Sequence, residues 1–453
     1  MKPLLIIHGW SDEADSFVAL ASAIETTSNR TVLSVYLGNY VSLDDDVRMT
    51  DLVNGLQRAW TQQKLPTDAK SIDVIVHSTG GLVIRDWMTT HFSVKGRKPP
   101  INNLVMLAPA NFGSPLAHKG RALYGRVIKG FNANKRFQTG AHILKALEMA
   151  SPYSWDLAQR DRFQDNAMSA TGVRTTVIVG NTGYSGISSL ANELGSDGTV
   201  YVATANLNCA AIEVSFPAGD RRPKFNAIRK SRGDTAFLVM DDFNHSSIAY
   251  KDHKHAQKDA LLGFILRALD VSNTENFKQW IDDCESHSAA VLAIHEGDSD
   301  SHKHGFQNTV FRVRDDQGYD VQDYVIEFYN DTAKGDDDRL AELFNKDAVV
   351  KVHAHKDNGS YRSFMIDCSA LYRIIEAQDQ VLNISISAMP DLNEERNLVG
   401  YRSFGNQDIG QMTLSAQGVR DFFIPNRTLF IDITLTRQQK DELFWIKSLD
   451  DMV

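Results

Sequence analysis

The chain has little cysteine: Cys209, Cys284 and Cys368 are the only three in 453 residues. They are too few and too scattered for a disulfide framework or a zinc cluster, so reduced, structural thiols are expected. No apolar run approaches the roughly eighteen residues that a membrane-spanning helix needs. The first ten residues, Met1 to Trp10, carry one charge and a short apolar core broken by His8, unlike a signal peptide. The sequence therefore reads as a cytoplasmic product, although signal-independent export would leave no mark in it. Positive charge is in deficit, with a formal net charge of −9, which argues against general nucleic-acid binding. What remains is an ordinary globular composition, 42% hydrophobic and 23% charged, at a length that favours two domains.

Over residues 1–270, buried apolar runs alternate with helical periodicity. Strands are predicted at Leu4–Ile7, Thr31–Tyr36, Ile72–Val76, Leu104–Leu107, Thr176–Gly180 and Ala236–Met240, with an extra one at Ile212–Val214. Between them lie amphipathic helices, one with Phe17, Leu20, Ala21 and Ile24 on a face, another with Met49, Leu52, Val53, Leu56 and Trp60. Asp44 to Asp46 are expected to cap the second. A closing helix carries Leu261, Leu262, Ile265, Ala268 and Leu269. This alternation predicts an α/β domain, doubly wound on a mostly parallel sheet.

Open α/β sheets place their chemistry at the C-terminal ends of their strands, and four features fall there. Val76-His77-Ser78-Thr79-Gly80-Gly81 follows a β-branched run and precedes a helix with Leu82, Val83, Trp87 and Met88 on one face, so Ser78 sits on a tight strand-to-helix turn. His8-Gly9-Trp10 ends the first strand. Asp197 lies in the Gly-flanked loop Leu194 to Val200; a carboxylate here could orient a histidine, or could simply shape the turn. His245, in Phe243-Asn244-His245-Ser246-Ser247-Ile248, follows the last strand, where a general base can reach a serine over the same sheet edge. Asp242 is the rival acid, and His253 and His255 could compete as base.

These motifs resemble those of the α/β-hydrolase superfamily, bacterial lipase and esterase type, over about residues 1–270. The elbow departs from Gly-x-Ser-x-Gly, with Val76 where the first glycine would stand. The resemblance implies a carboxylic ester hydrolase with the triad Ser78, Asp197 and His245, in the chain order of that superfamily. It implies an oxyanion hole from the backbone N–H groups of Trp10 and Thr79, and no cofactor. The expected substrate is a lipid ester, as for a lipase or phospholipase. Alternatives are a short-chain esterase or thioesterase, a binding protein on an inactive hydrolase scaffold, and a secreted lipase effector whose second domain docks on a membrane or carrier.

An insertion at about 114–170 is expected to form a helical lid. Leu123, Tyr124, Val127, Ile128 and Phe131 make an apolar stripe flanked by Lys119, Arg121, Arg126 and Lys129. From Trp87 to Met149 ten residues are basic and only Glu148 is acidic, so an anionic membrane surface is an expected partner. A second basic run, Arg221 to Arg232, reads as a solvated loop. Residues 271–305 read as a linker with a short helix around Phe277 to Ile281. Residues 306–453 read as an all-β, sandwich-like domain. Its period-2 segments are Val310–Arg314, Tyr324–Tyr329, Val349–His355, Tyr361–Ile366, Val381–Ala388, Leu398–Phe404 and Leu429–Thr436, and only Leu340–Phe344 looks helical. His295, His302, His304, His353 and His355, with Asp298 and Asp300, are metal-ligand types without a dedicated spacing. No metal is expected, with calcium as the one acidic-loop alternative.

Overall fold

A computed structural model of the chain describes residues 2–7, 17–37, 45–117, 140–185, 189, 192–217, 222–252, 254–296, 303–329, 342–378, 382–392, 394–395, 397–404 and 414–440. The chain divides into two compact units. The first is Met1–Ala210, Arg229–Asn308 and Pro425–Leu429; the second is Ala211–Ile228, Thr309–Ile424 and Phe430–Val453.

The first unit is built on β1 (Leu4–Ile7), β2 (Val32–Val35), β3 (Ile72–His77), β4 (Ile101–Leu107), β5 (Arg174–Gly180) and β9 (Ala236–Met240). They form one sheet in the order β2-β1-β3-β4-β5-β9, and every neighbouring pair is parallel. All residues of β1, β3, β4, β5 and β9 are buried, as a sheet covered on both faces requires. Helices α1 (Val18–Ser28), α2 (Met49–Gln62), α3 (Gly80–His91), α4 (Ala141–Leu147), α5 (Pro152–Ala158) and α7 (Lys258–Asp270) supply the cover, with the short α6 (Val202–Ala205) between β5 and β9. Trp60 of α2 and Trp87 of α3 pack ring to ring at 4.5 Å.

Three expectations change here. The cap of α2 is a reciprocal turn in which Asp51 Oδ2 accepts from the Arg48 N–H at 2.9 Å, while Asp45 accepts from the Ala141 N–H at 3.1 Å. The apolar stripe Leu123–Phe131 and its basic flank lie outside the described residues. The later part of the expected lid is core: Leu147, Trp155 and Phe163 are buried, because α5 and the turn after it pack on α3. Residues 271–305 are not a linker with a short helix. Helix α8 runs Thr274–His295 and is a working part of the first unit: Trp280 donates to Thr176 Oγ1 at 2.9 Å, and Ser288 Oγ accepts from the Val239 N–H at 3.0 Å. Phe277, Trp280, Cys284 and Val291 are its buried face.

The second unit is not all-β. Its main sheet has the order β12-β13-β10-β16-β6-β7, from β6 (Ala210–Phe216), β7 (Lys224–Phe225), β10 (Phe306–Asp315), β12 (Val349–Ala354), β13 (Tyr361–Asp367) and β16 (Arg427–Leu435). Strands β11 (Tyr324–Tyr329) and β14 (Asn383–Ala388) form a separate antiparallel pair. Helices α9 (Cys368–Gln378) and α10 (Ala416–Phe422) interrupt the strands. Leu371, Ile374 and Ile375 of α9 are buried at a helical spacing that was present in the sequence. Of Leu398–Phe404 only Val399–Gly400 is a strand. The Ile212–Val214 strand, expected beside the parallel sheet, belongs to the main sheet of this unit.

Candidate active site

Ser78 is the residue directly after β3, and its φ of 53° lies in the left-handed region. A non-glycine residue adopts that conformation only where its surroundings impose it. Here they do: the Ser78 N–H donates to Leu107 O at 3.1 Å, and the carbonyl of Ser78 accepts from Gly81 at 3.0 Å and Ala110 at 3.3 Å. The turn is tight because its glycines admit close neighbours. A Cβ on Gly81 would stand 2.6 Å from Pro109 Cβ, and one on Gly80 would stand 3.3 Å from Val76 Cβ. Val76 is thus accommodated where the sequence pattern calls for glycine, because its partner across the turn has no side chain.

The elbow delivers Ser78 to His245, which follows β9. His245 Nε2 lies 3.1 Å from Ser78 Oγ, placed to accept the hydroxyl proton. On the other side of the ring, Nδ1–H donates to Asp197 Oδ2 at 2.9 Å. All three side chains are buried, at 7%, 4% and 0% exposure for Ser78, His245 and Asp197. Asp197 is held by its own loop: Oδ1 accepts from the N–H groups of Thr199 at 2.9 Å and Val200 at 2.7 Å. Three hydrogen bonds thus fix both oxygens of the carboxylate. The His245 loop is fixed as firmly. Its N–H donates to Asp197 O at 2.9 Å, and Asn244 Oδ1 accepts from Ser246 and Ser247 at 3.0 and 2.9 Å.

The rival groups are elsewhere. Asp242 is mostly exposed and pairs with Lys303 at 2.5 Å. His255 stacks on Phe243 with centroids 3.8 Å apart and reaches Asp242 O at 3.1 Å. His253 lies outside the described residues, and so does Trp10. Thr79 is buried at the start of α3, so its N–H is one of the unpaired donors at a helix N-terminus.

Two neighbours escaped the sequence reading. His77 stacks on His245 with centroids 4.6 Å apart, and its Nε2–H donates to His245 O at 3.3 Å. Its place beside the serine was visible, but nothing in the sequence said that its ring would turn toward the histidine loop. Beneath the turn, Arg85 is fully buried and forms a two-pronged pair with Asp161, Nε to Oδ2 at 2.7 Å and NH2 to Oδ1 at 3.0 Å. Arg85 also donates to Asn111 O at 2.8 Å, and Asn111 Nδ2 donates to Ala205 O at 2.8 Å. This network ties α3 to the segment after β4.

Among the described residues no group of three or more His, Cys, Asp or Glu gathers as a metal site. Of the candidates, His295 pairs with Asp241 at 3.1 Å, His304 stacks on Phe306 at 4.9 Å, and Asp298, Asp300 and His302 lie outside the described residues. No described helix is long and apolar enough to cross a membrane.

No protein-family model and no curated protein matches the sequence. Solved structures do. Phospholipase PlaB from Legionella pneumophila superimposes with a TM-score of 0.82 at 23% identity, over 99% of this chain and 97% of that one. The same protein in complex with thio-NAD gives 0.81 at 22% identity with equal coverage. The mature form of lipase BlEst2 from Bacillus licheniformis gives 0.36 at 13% identity, over 58% of this chain and 91% of that one. At these identities the likeness is one of fold: over nearly its whole length the chain shares the fold of phospholipase PlaB.

Proposed function

We propose that the chain hydrolyses carboxylic esters of lipids through an acyl-enzyme on Ser78. The observation that carries this reading is the continuous relay from Ser78 Oγ through His245 to Asp197, with gaps of 3.1 and 2.9 Å. Ser78 Oγ attacks the ester carbonyl carbon while its proton passes to His245 Nε2. Asp197 fixes the tautomer that leaves Nε2 free to accept, and stabilises the imidazolium once it forms. The tetrahedral oxyanion takes a hydrogen bond from the N–H of Thr79, and the hydrolase resemblance assigns the second donor to Trp10, outside the described residues. Collapse expels the alcohol, which leaves with the proton from His245. Water, deprotonated by the same histidine, then attacks the acyl group and releases the fatty acid and Ser78.

The end-to-end likeness to a phospholipase supports a glycerophospholipid over a short soluble ester. No cofactor takes part in these steps. A fluorophosphonate should label Ser78 and nothing else, and Ser78→Ala should abolish release of fatty acid from phospholipid vesicles without loss of secondary structure. Hydrolysis that survives in Ser78→Ala sinks the reading. Turnover confined to acetate or butyrate esters would move it to a short-chain esterase.

A further inference from the structure

The second unit holds an apolar cavity of about 200 Å³ that the proposed chemistry does not use. One wall is the face of the main sheet formed by residues two apart on adjacent strands, among them Val214, Phe311, Phe364 and Ile433. The opposite wall comes from the β11-β14 pair through Ile326 and Ile386. Side chains two apart on a strand share a face, so this is the interior of two facing layers that the described residues leave unfilled. Native cores close such space, because a void forfeits contacts on every side chain around it. A void on this scale, built from paired strands, points to an occupant.

The lining says what kind. Among the described lining residues only Thr309 and Ser385 bring side-chain oxygen to it, and Ser385 already donates to Glu327 at 3.3 Å. A ligand with polar groups would lose its water without directional partners, whereas dry apolar cavities of about 150 Å³ take up hydrocarbon. The cavity also has a way in. Phe225 lines it and is 39% exposed, and it sits on β7, the strand at the edge of the main sheet. Its neighbours Lys224 and Arg222 are exposed there, where an anionic end group can stay in water.

We infer that this cavity is a binding site for one fatty-acyl chain, with its carboxylate left at the β7 mouth. The inference rests on the lipid-ester reading for the source of the ligand, since that reaction releases fatty acid. Product bound here leaves the triad free for the next turnover.

The test uses the full chain with Ser78 first capped by a fluorophosphonate, so that the triad cannot hold the ligand. Decanoic acid carrying a terminal diazirine is added below its micelle concentration and photolysed. Adducts should map to peptides containing Val214, Ile326 or Ile386, and excess decanoate should suppress them. Val214→Phe, which fills the space, should lower their yield at least tenfold, and Ile326→Asp should do the same by making the wall polar. Adducts only elsewhere, or none, overturn the inference, including the case in which a second copy or the chain itself occupies the space. If either variant fails to fold, the map on the unmodified sequence decides. Capping of Ser78 without cavity adducts refutes only this site; cavity adducts without capping refute the hydrolase reading instead.

Discussion

At the scale of single residues, the site is a set of side chains whose freedom has been removed. Asp197 spends one oxygen on two loop N–H groups and the other on His245. Asp197→Asn keeps an acceptor for the loop but presents an amide N–H toward His245, which selects the tautomer whose Nε2 carries a proton and cannot accept from Ser78. The expected outcome is a fall in kcat of about 10⁴-fold with an unchanged circular dichroism spectrum; a fall under tenfold would remove Asp197 from the relay. Cysteine gives a contrasting case. Cys209 is fully buried, and burial pushes its thiol up to about 11. At pH 8 roughly one molecule in a thousand carries the reactive thiolate. A maleimide or disulfide reagent should therefore leave Cys209 untouched in the folded protein and modify it promptly in denaturant. Mass spectrometry of the two samples checks this. That Ser78, Asp197 and His245 would come together was legible from the sequence, because each lies after its own strand at the same edge of the sheet. His77 and Arg85 were not, because their roles depend on which way a ring or guanidinium turns in three dimensions.

Elements were legible to the degree that their own pattern decided them. The six parallel strands are largely apolar, β-branched runs, and a run of that kind has few other uses in a globular domain. The α8 helix was cut short because its outward face is polar and acidic over three turns, and only Phe277, Trp280, Cys284 and Val291 mark its buried stripe. The Ile212–Val214 strand shows the other failure: its pattern fixed a strand but not the sheet that would receive it. The elbow is where pattern and packing meet most closely. Gly81→Ala would force its new methyl within 2.6 Å of the Pro109 ring, which has no flexible end to swing aside. A shift of the turn by a fraction of an ångström should lower kcat about a hundredfold while KM changes little; full activity in that variant would contradict the described turn. The loop that carries His245 has its own anchor. Burial alone would raise the Asp241 carboxyl, but hydrogen bonds from Asn181, Lys303 and His295 hold it below its ordinary value of 3.8. A carboxyl lowered in the folded state stabilises it above the unfolded value, and that contribution disappears as pH falls through the folded value. Denaturant titrations should show Asp241→Asn less stable than the parent protein by a constant margin above about pH 5. The margin should close as the pH drops below 3.8. A margin that widens in acid would refute the assignment.

For the whole molecule, the first unit is closed by a buried polar belt at the opposite ends of its strands from the site. Asp73, at the start of β3, accepts from Arg30 at 2.7 Å, from Asn102 at 2.8 Å and from the Asn103 N–H at 3.0 Å. Arg30 reaches on to Leu269 O at 3.0 Å and Asp270 at 2.8 Å, and Asn103 donates to Leu269 O and Val271 O at 2.7 and 3.0 Å. Arg174 completes the belt by donating to Asn103 at 2.9 Å and Asn102 at 2.6 Å. Residues near 30, 73, 103, 174 and 270 are thereby joined, so one carboxylate links the start of the sheet to the end of α7. None of this showed in the sequence, where Asp73 looks like a polar interruption in a strand, because its partners lie 29 to 43 positions away and the Arg30–Asp270 link of the same belt spans 240. The belt predicts that Asp73→Ala is a stability mutant and not an activity mutant. It strips the buried one of two carboxylate partners from the Arg30 guanidinium and leaves only the exposed Asp270, which costs up to about 3–5 kcal/mol and lowers Tm by up to about 5–10 °C. Below that Tm, kcat should stay within about twofold, since the belt and Ser78 stand at opposite ends of β3. Replacing Arg30 and Asp73 together by Met and Leu should recover most of the loss, because no buried charge is then left alone. Calorimetry on the two variants distinguishes this from simple loss of packing, for which the double replacement would unfold at the lower temperature of the pair.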